Sequence, residues 1–411
     1  MKHKILNLIK KIIYVLRIVQ FRIVWPAIFF IFKQKPVKKD RILFADAFST
    51  DLTDNMVPVY QALCASKDRG LRNFELKKCF APAPTGNAII DRLRLEFQYI
   101  LFFKEYAQSS VLVLTDSYLP AYAVKPRKGT SVVQLWHGCG AFKKWGYATL
   151  SKTFGASAET AKLFPMHNCY SLVPVSSSAV VPAYAEAFQC SPDAIKPFGV
   201  PRTDVFFDHQ FVSTAKSRLY ASCTEVRTLC GNADDFANKT VVLFAPTFRG
   251  ENITAAHSDC KLDLLQLKNA LGDNFIILYK LHPFIKEKFE IPPACKTFVA
   301  NVSSVPTDLC LCAADVLITD YSSIIFEYAL LNRPMIFYAY DLDEYTAERD
   351  FFYKYEDFVP GKIVRTQNEL ENVLCNMNAH FNETAVKNFA EKYMCACDGS
   401  STKRIVESII E

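Results

Sequence analysis

Fourteen of the 411 residues are cysteine, yet the chain has no CxxC pair. Cys310/Cys312 and Cys395/Cys397 stand two apart, too close for an ordinary disulfide and with no neighbouring histidine to complete a zinc site. Zinc-ribbon and disulfide-scaffold classes are excluded, which leaves small apolar residues in a reducing compartment. Acid is missing from the first 39 residues, which carry ten Lys or Arg. Removing those ten from the formal net charge of +6 leaves −4 for the body. A mildly acidic body offers no basic face to a duplex, so nucleic acid is excluded as a partner. Repeats and low-complexity tracts are absent. In the N-terminal stretch the longest uncharged run, Ile23 to Phe32, is about half a membrane span and contains Pro26.

What is there begins with that stretch. On a helical wheel Ile5, Leu8, Ile9, Ile12, Leu16, Val19 and Ile23 share one face, with Lys4, Lys10, Lys11, Arg17 and Arg22 opposite. Residues 1–39 therefore read as an amphipathic helix lying in an anionic membrane surface, with Trp25 and Phe29-Phe30 at headgroup depth. The plainer alternative is a helix packed on the protein's own core.

From Arg41 onward strands alternate with helices, which implies parallel sheets covered on both faces. Expected strands are Arg41–Ala47, Val111–Thr115, Ser131–Leu135 and Ser171–Ser176, then Val241–Ala245, Phe275–Lys280, Val316–Thr319 and Met335–Tyr338. The polar stretch Asp208–Lys239 divides the halves. The expected organisation is an α/β chain of two doubly wound domains, 40–207 and 208–411, facing each other across a cleft. Ligands of such sheets bind beyond the carboxyl ends of the strands.

Three such ends carry chemistry. The run Val316 to Thr319 stops at Asp320 and leads through Tyr321, Ser322 and Ser323 into an apolar helix, a turn whose hydroxyls and free N–H groups suit phosphate. His137 follows the run Val132 to Trp136 and precedes Gly138 and Gly140, which would let a substrate approach the backbone closely. An imidazole there suits proton removal from a hydroxyl, or merely caps a strand. His282 repeats the arrangement behind Lys280. Thr247 and Arg249 form a further strand-end turn suited to phosphate. Gly199-Val200-Pro201-Arg202-Thr203-Asp204 has similar content or is a hinge. Cys139 is either reactive or a bystander. Asp341-Leu342-Asp343 has the form of a metal-binding acid pair but lacks a third ligand, and reads as a helix start. Together these sites point to an enzyme acting on a phosphorylated substrate.

WHG at 136–138, GVPRTD at 199–204, FAPTFRG at 244–250, LHP at 281–283 and the long block ADVLITDYSSIIFEYALLNRPMIFYAYDLDEY at 314–345 resemble the CDP-glycerol:poly(glycerophosphate) glycerophosphotransferases of teichoic acid synthesis. The resemblance implies a GT-B fold with the donor on the second domain, no cofactor and no metal. It implies transfer of glycerol phosphate from CDP-glycerol to a hydroxyl of an undecaprenyl-diphosphate-linked or other lipid-linked acceptor, with release of CMP, at the cytoplasmic face of the cell membrane. By position it makes His137 the base and His282 the group that stabilises the donor diphosphate. Ser322 and Ser323 match the phosphate-binding turn, Glu327 the ribose-holding position, and Thr247, Arg249 and Lys280 join the donor site. Where the family has WHGTP this chain has His137-Gly138-Cys139-Gly140-Ala141, which bears on the acceptor side. Alternatives are CDP-ribitol as donor, or a GT-B nucleotide-sugar glycosyltransferase. The short N-terminal region leans towards a primase or a short-chain enzyme.

Overall fold

The computed structural model describes residues 2–68, 73–150, 152, 155–250, 256–258, 261–285 and 289–410. The chain divides into two compact units, one formed by residues 1–138, 145–202 and 400–411, the other by 139–144 and 203–399. The sequence division was 1–39, 40–207 and 208–411. In the structure the N-terminal helix belongs to the first unit, and so does the C-terminal helix Ser401–Ile410.

In the first unit β1 (Lys38–Ala45), β2 (Glu75–Cys79), β3 (Ser109–Leu114) and β4 (Ser131–Gln134) form a parallel sheet ordered β2-β1-β3-β4. A two-stranded parallel ladder joins β5 (Val173–Pro174) to β6 (Ile195–Lys196). Both faces of the main sheet are covered. Leu43, Ala45, Leu112 and Leu114 lie in one apolar cluster, and Ile42, Phe44, Val111 and Val113 lie in another. That is why these strands read as unbroken apolar runs rather than as alternation.

The second unit holds β7 (Thr240–Phe244), β8 (Phe275–Tyr279), β9 (Val299–Asn301), β10 (Val316–Thr319), β11 (Met335–Tyr338) and β12 (Lys362–Val364). Their order is β12-β11-β10-β7-β8-β9, all parallel. The direction of winding reverses between β7 and β10, which opens a crevice beyond their carboxyl ends. The stretch Asp208–Lys239, expected as a divider, is instead four short helices of this unit. The first buries none of its residues and the other three bury only Ala215 and Leu219, Val226, and Phe236, too sparse a pattern to show as periodicity.

The N-terminal segment is one continuous helical run. It comprises α1 (Lys2–Val19), a π-helical turn Gln20–Val24 and α2 (Trp25–Phe32). The wider turn falls just before Pro26, whose ring cannot fit an unmodified α-helical ladder. By length and composition, Leu8–Phe32 could cross a membrane. Its second half, however, is packed on protein. Phe21, Trp25 and Phe29 are buried in the core cluster that includes Phe102, Phe103 and Tyr106 of the helix α4, which is preceded by α3 (Met56–Asp68) and spans Ala88–Tyr106. Trp25 meets Tyr99 and Phe103 at ring separations of 5.2 and 6.1 Å, and Phe29 meets Tyr106 at 5.5 Å. Trp25 and Phe29 therefore face α4 rather than open surface, because α4 offers them an aromatic face that completes the core. Arg22, read as a headgroup cation, donates to the Lys162 and Leu163 carbonyls at a helix end. Leu8, Ile9, Ile12, Leu16, Val19, Ile23 and Phe30 are exposed.

Candidate active site

In the first unit the winding reverses between β1 and β3, and an acid follows each strand, Asp46 directly after β1 and Asp116 after one intervening residue beyond β3. Asp46 is buried, and its Oδ1 accepts from the Phe48 and Ser49 N–H groups at 2.7 and 2.8 Å. Burial, with the Asp116 charge adding to it, raises its pKa against those two donors. His137 follows β4. Its exposed ring packs on Trp136 with centroids 4.2 Å apart, and Nδ1 lies 3.3 Å from Asp116 Oδ2. A carboxylate on Nδ1 holds the proton there and leaves Nε2 outward as the basic nitrogen.

The loop that presents His137 is braced at each carbonyl. Trp136 has φ +54°, a left-handed conformation unusual for a bulky residue. Its carbonyl accepts from Asn55 Nδ2 at 2.8 Å and Thr115 Oγ1 at 3.3 Å. Arg202 Nη1 donates to the His137 carbonyl at 2.6 Å and to both carboxylate oxygens of Asp54 at 2.8 Å. The Tyr184 hydroxyl takes the Gly138 carbonyl at 3.0 Å. The turn 199–204, read as either a phosphate loop or a hinge, thus supplies the arginine that grips the histidine backbone. Behind the loop His167 is buried, bonded through Nδ1 to Tyr170 Oη at 2.7 Å and packed on Phe188. Burial pushes its imidazole down to about 4, so it is neutral at physiological pH.

The second site lies in the second unit, at the ends of β7, β8 and β10. Asp320 ties the ends of β7 and β10 together. Its Oδ1 accepts from the Thr247 N–H at 2.8 Å, the Thr247 hydroxyl at 2.7 Å and the Tyr321 N–H at 2.6 Å. Arg249 Nη2 lies 3.0 Å from Asp320 Oδ2, while Nε and Nη2 fork onto the Asp341 carboxylate at 2.7 and 3.0 Å. Thr247 and Arg249 thus bind acids of their own unit, and Asp341 precedes the helix Leu342–Glu348 as the helix-start reading requires. Among the described residues no cluster of metal-ligating side chains occurs.

His282 lines an open depression of about 460 Å³ with Asn301 and Ser303. Its Nδ1 accepts from the Phe284 N–H at 3.2 Å, and its ring packs on Phe248 and Phe284. Burial, then the Lys143 and Arg349 charges, push it down to about 4. The ring is therefore neutral, with its proton on Nε2, a hydrogen-bond donor without net charge. Lys280 donates to the Val305 carbonyl at 2.6 Å, and burial lowers its pKa. Ser322 Oγ accepts from the Ile324 N–H at 3.4 Å, Ser323 precedes the short helix Ile324–Ala329, and Glu327 is buried within that helix.

Residues 139–144 also belong to this unit. Gly140, at φ +68°, was expected to admit substrate. A Cβ there would stand 2.3 Å from the Phe326 ring, so the glycine admits that side chain instead. Cys139 is buried with Sγ 3.6 Å from Met394 Sδ, the bystander of the two readings. Sequence reasoning passed over Asp116, Asp54, Asn55 and Lys143. A shared signal existed for the first: an aspartate within two residues of the end of an apolar strand recurs at Asp46, Asp116 and Asp320.

Comparison with known proteins places this geometry. The teichoic acid ribitol-phosphate primase of Bacillus spizizenii is 36% identical over 376 residues, covering 91% of this chain and 92% of that protein. The teichoic acid poly(ribitol-phosphate) polymerase of the same organism is 35% identical over 92% of this chain, which spans 58% of that polymerase. The glycerol-phosphate primase of Bacillus subtilis is 26% identical over 302 residues. Among solved structures, the wall teichoic acid polymerase TagF shares the fold with a TM-score of 0.73 at 20% identity, covering 99% of this chain and 96% of that one. A UDP-GlcNAc 2-epimerase from Neisseria meningitidis is more distant, at a TM-score of 0.52 and 10% identity. The family described as CDP-Glycerol:Poly(glycerophosphate) glycerophosphotransferase matches residues 27–411, and with relatives of this identity along the chain, the protein belongs to that family of teichoic acid primases and polymerases.

Proposed function

We propose that the protein is a CDP-ribitol ribitolphosphotransferase built on a GT-B plan, acting on a lipid-linked acceptor in teichoic acid synthesis. The sequence reading put CDP-glycerol first. The observation that carries the change is the 36% identity to a ribitol-phosphate primase along nearly the whole of both chains, against 26% to a glycerol-phosphate primase. The acceptor hydroxyl attacks the β-phosphorus, its proton passes to His137 Nε2, and the bond from that phosphorus to the bridging oxygen breaks to release CMP. Asp116 steadies the imidazolium that forms. His282 donates from Nε2 to a phosphate oxygen, and the turn at Ser322 and Ser323 receives the diphosphate. The proposal assigns charge balance to protein groups rather than a metal.

The deciding experiment offers purified protein CDP-ribitol and CDP-glycerol with a lipid-linked disaccharide acceptor, measures CMP, and sizes the products. Ribitol phosphate transfer with CMP release is expected. Preference for CDP-glycerol would return the reading to glycerol, and turnover of a nucleotide sugar without CMP would replace it by a glycosyltransferase.

The same proposal seats the protein on the cytoplasmic face of an anionic membrane. Two exposed apolar rows of the first unit support this, Leu8, Ile12 and Leu16 on α1 and Ile89, Leu93, Phe97 and Ile100 on α4. Lys10, Lys11 and Arg17 flank the first row.

A further inference from the structure

Lys143 lies on the short stretch 139–144 that packs into the second unit. Phe142, beside it, is buried among Phe351, Tyr355 and Phe358. Lys143 bridges Phe351 in antiparallel register, Lys144 N–H donates to the Asp350 carbonyl at 2.9 Å, and Phe352 N–H donates to the Phe142 carbonyl at 2.9 Å. The stretch is therefore extended, and successive side chains leave it on opposite sides. Lys144 finds a carboxylate, Asp350, at 2.9 Å. Lys143 does not. Its Nζ has the neutral hydroxyl of Tyr345 at 3.3 Å, and among the described residues no carboxylate stands within ion-pair distance of it.

The surroundings make that arrangement costly for the protein alone. The Arg249 and Arg349 charges act against Lys143, and its own charge reaches His282. The one acid that favours it, Asp320, is already bound by Thr247, Tyr321 and Arg249. A buried ammonium held among like charges is destabilising until an anion joins it. Burial weighs against the charge first, and the residue as a whole keeps part of its surface exposed.

We propose that Lys143 is a ligand of the donor's diphosphate, holding a phosphate oxygen on the same ground as the His282 Nε2 donor. The assignment rests on the CDP-alditol reading above. When the diphosphate binds, the ammonium gains the anionic partner that the unit withholds from it. After the β-phosphorus bond breaks, it faces the phosphate of departing CMP.

The test is calorimetric titration of the full chain with CDP, cytidine and inorganic pyrophosphate. Lys143→Met keeps the stem and removes the charge. It is expected to weaken CDP at least tenfold and to leave cytidine unchanged, while Lys143→Arg restores most of the loss. Wild-type affinity for CDP in Lys143→Met would overturn the assignment and leave the donor reading standing. Pyrophosphate binding that depends on Lys143, with no CDP binding to the wild type, would uphold the anion site and defeat the cytidine donor. If the Met variant loses its melting transition, amine acylation of Lys143 in wild-type protein replaces it. Protection by CDP upholds the assignment, and undiminished labelling in saturating CDP overturns it.

Discussion

Asp116 Oδ2 stands 3.3 Å from Nδ1 of His137, each residue supplied by the carboxyl end of a neighbouring parallel strand, β3 and β4. An acid so placed fixes which ring nitrogen carries the proton. Asp116→Asn should keep the ring in place, disturb the tautomer and lower kcat by roughly 10²-fold, with donor affinity unchanged. His137→Ala should abolish turnover while CDP still binds. Wild-type rates from His137→Ala would remove His137 as the base, and from Asp116→Asn would remove Asp116 as its orienting acid.

Arg202 joins the Asp54 carboxylate to the His137 carbonyl, so it governs where the ring sits without touching substrate. Arg202→Lys retains charge, but its shorter side chain and tetrahedral ammonium do not reproduce the planar Nη1 that holds both partners. A fall in kcat of up to about 10²-fold is expected, with KM for the donor little changed. A rise in KM alone would mean that Arg202 binds donor.

His167 is buried and neutral, and its pKa has fallen from an ordinary 6.5 to about 4. Between those values the unfolded chain takes up a proton that the folded chain refuses. Stability is therefore lost as pH falls from 6.5 through about 4, and is unaffected above that window. His282, shifted the same way, adds to the loss. Lowering the pH from 7 to 5 should cost about 2 kcal/mol through His167. Denaturant titration at the two values checks this, and a smaller difference is expected in His167→Gln.

Trp25 and Phe29 pack on α4 and Phe21 on Phe164, whereas Leu8 to Val19 lie outside the core. Removing residues 1–19 should leave the melting transition intact and reduce co-sedimentation with anionic vesicles. Removing residues 1–35 should destabilise the first unit, and Trp25→Ala alone should cost about 3 kcal/mol. Vesicle binding that survives the shorter deletion would shift membrane contact to α4.

Gly140→Ala combines positive φ with a Cβ driven into the Phe326 ring. A loss of about 2 kcal/mol or more is expected from overpacking and backbone strain, read as a lower melting temperature. An unchanged melting temperature would show that the Phe326 ring yields.

Much of this was legible in the sequence where burial is complete. The runs Val241–Phe244, Phe275–Tyr279 and Val316–Ile318 are apolar throughout because both sheet faces are covered, and the ends of their strands were placed within a residue or so. The edge strands β2, β9 and β12 escaped notice. Glu75-Leu76-Lys77-Lys78-Cys79 is half polar, and the other two are three residues long. At the site, His137, His282 and the two serines stood out because histidine and hydroxyl clusters at strand ends are uncommon. Lys143 could not be told from Lys144, since only the extended backbone assigns one to a carboxylate and the other to none. Trp25 and Phe29 looked like interfacial anchors because nothing local reveals the aromatic face of α4 some seventy residues later.

The unbroken passage from α1 through the π-turn into α2 turns the N-terminus into a bracket rather than a leash. Bolted by three aromatic rings, it lets any surface that captures residues 8–19 hold the first sheet at a set standoff. The reach of a substrate rooted in that surface would then be measured against a fixed height, with no slack for the protein to take up.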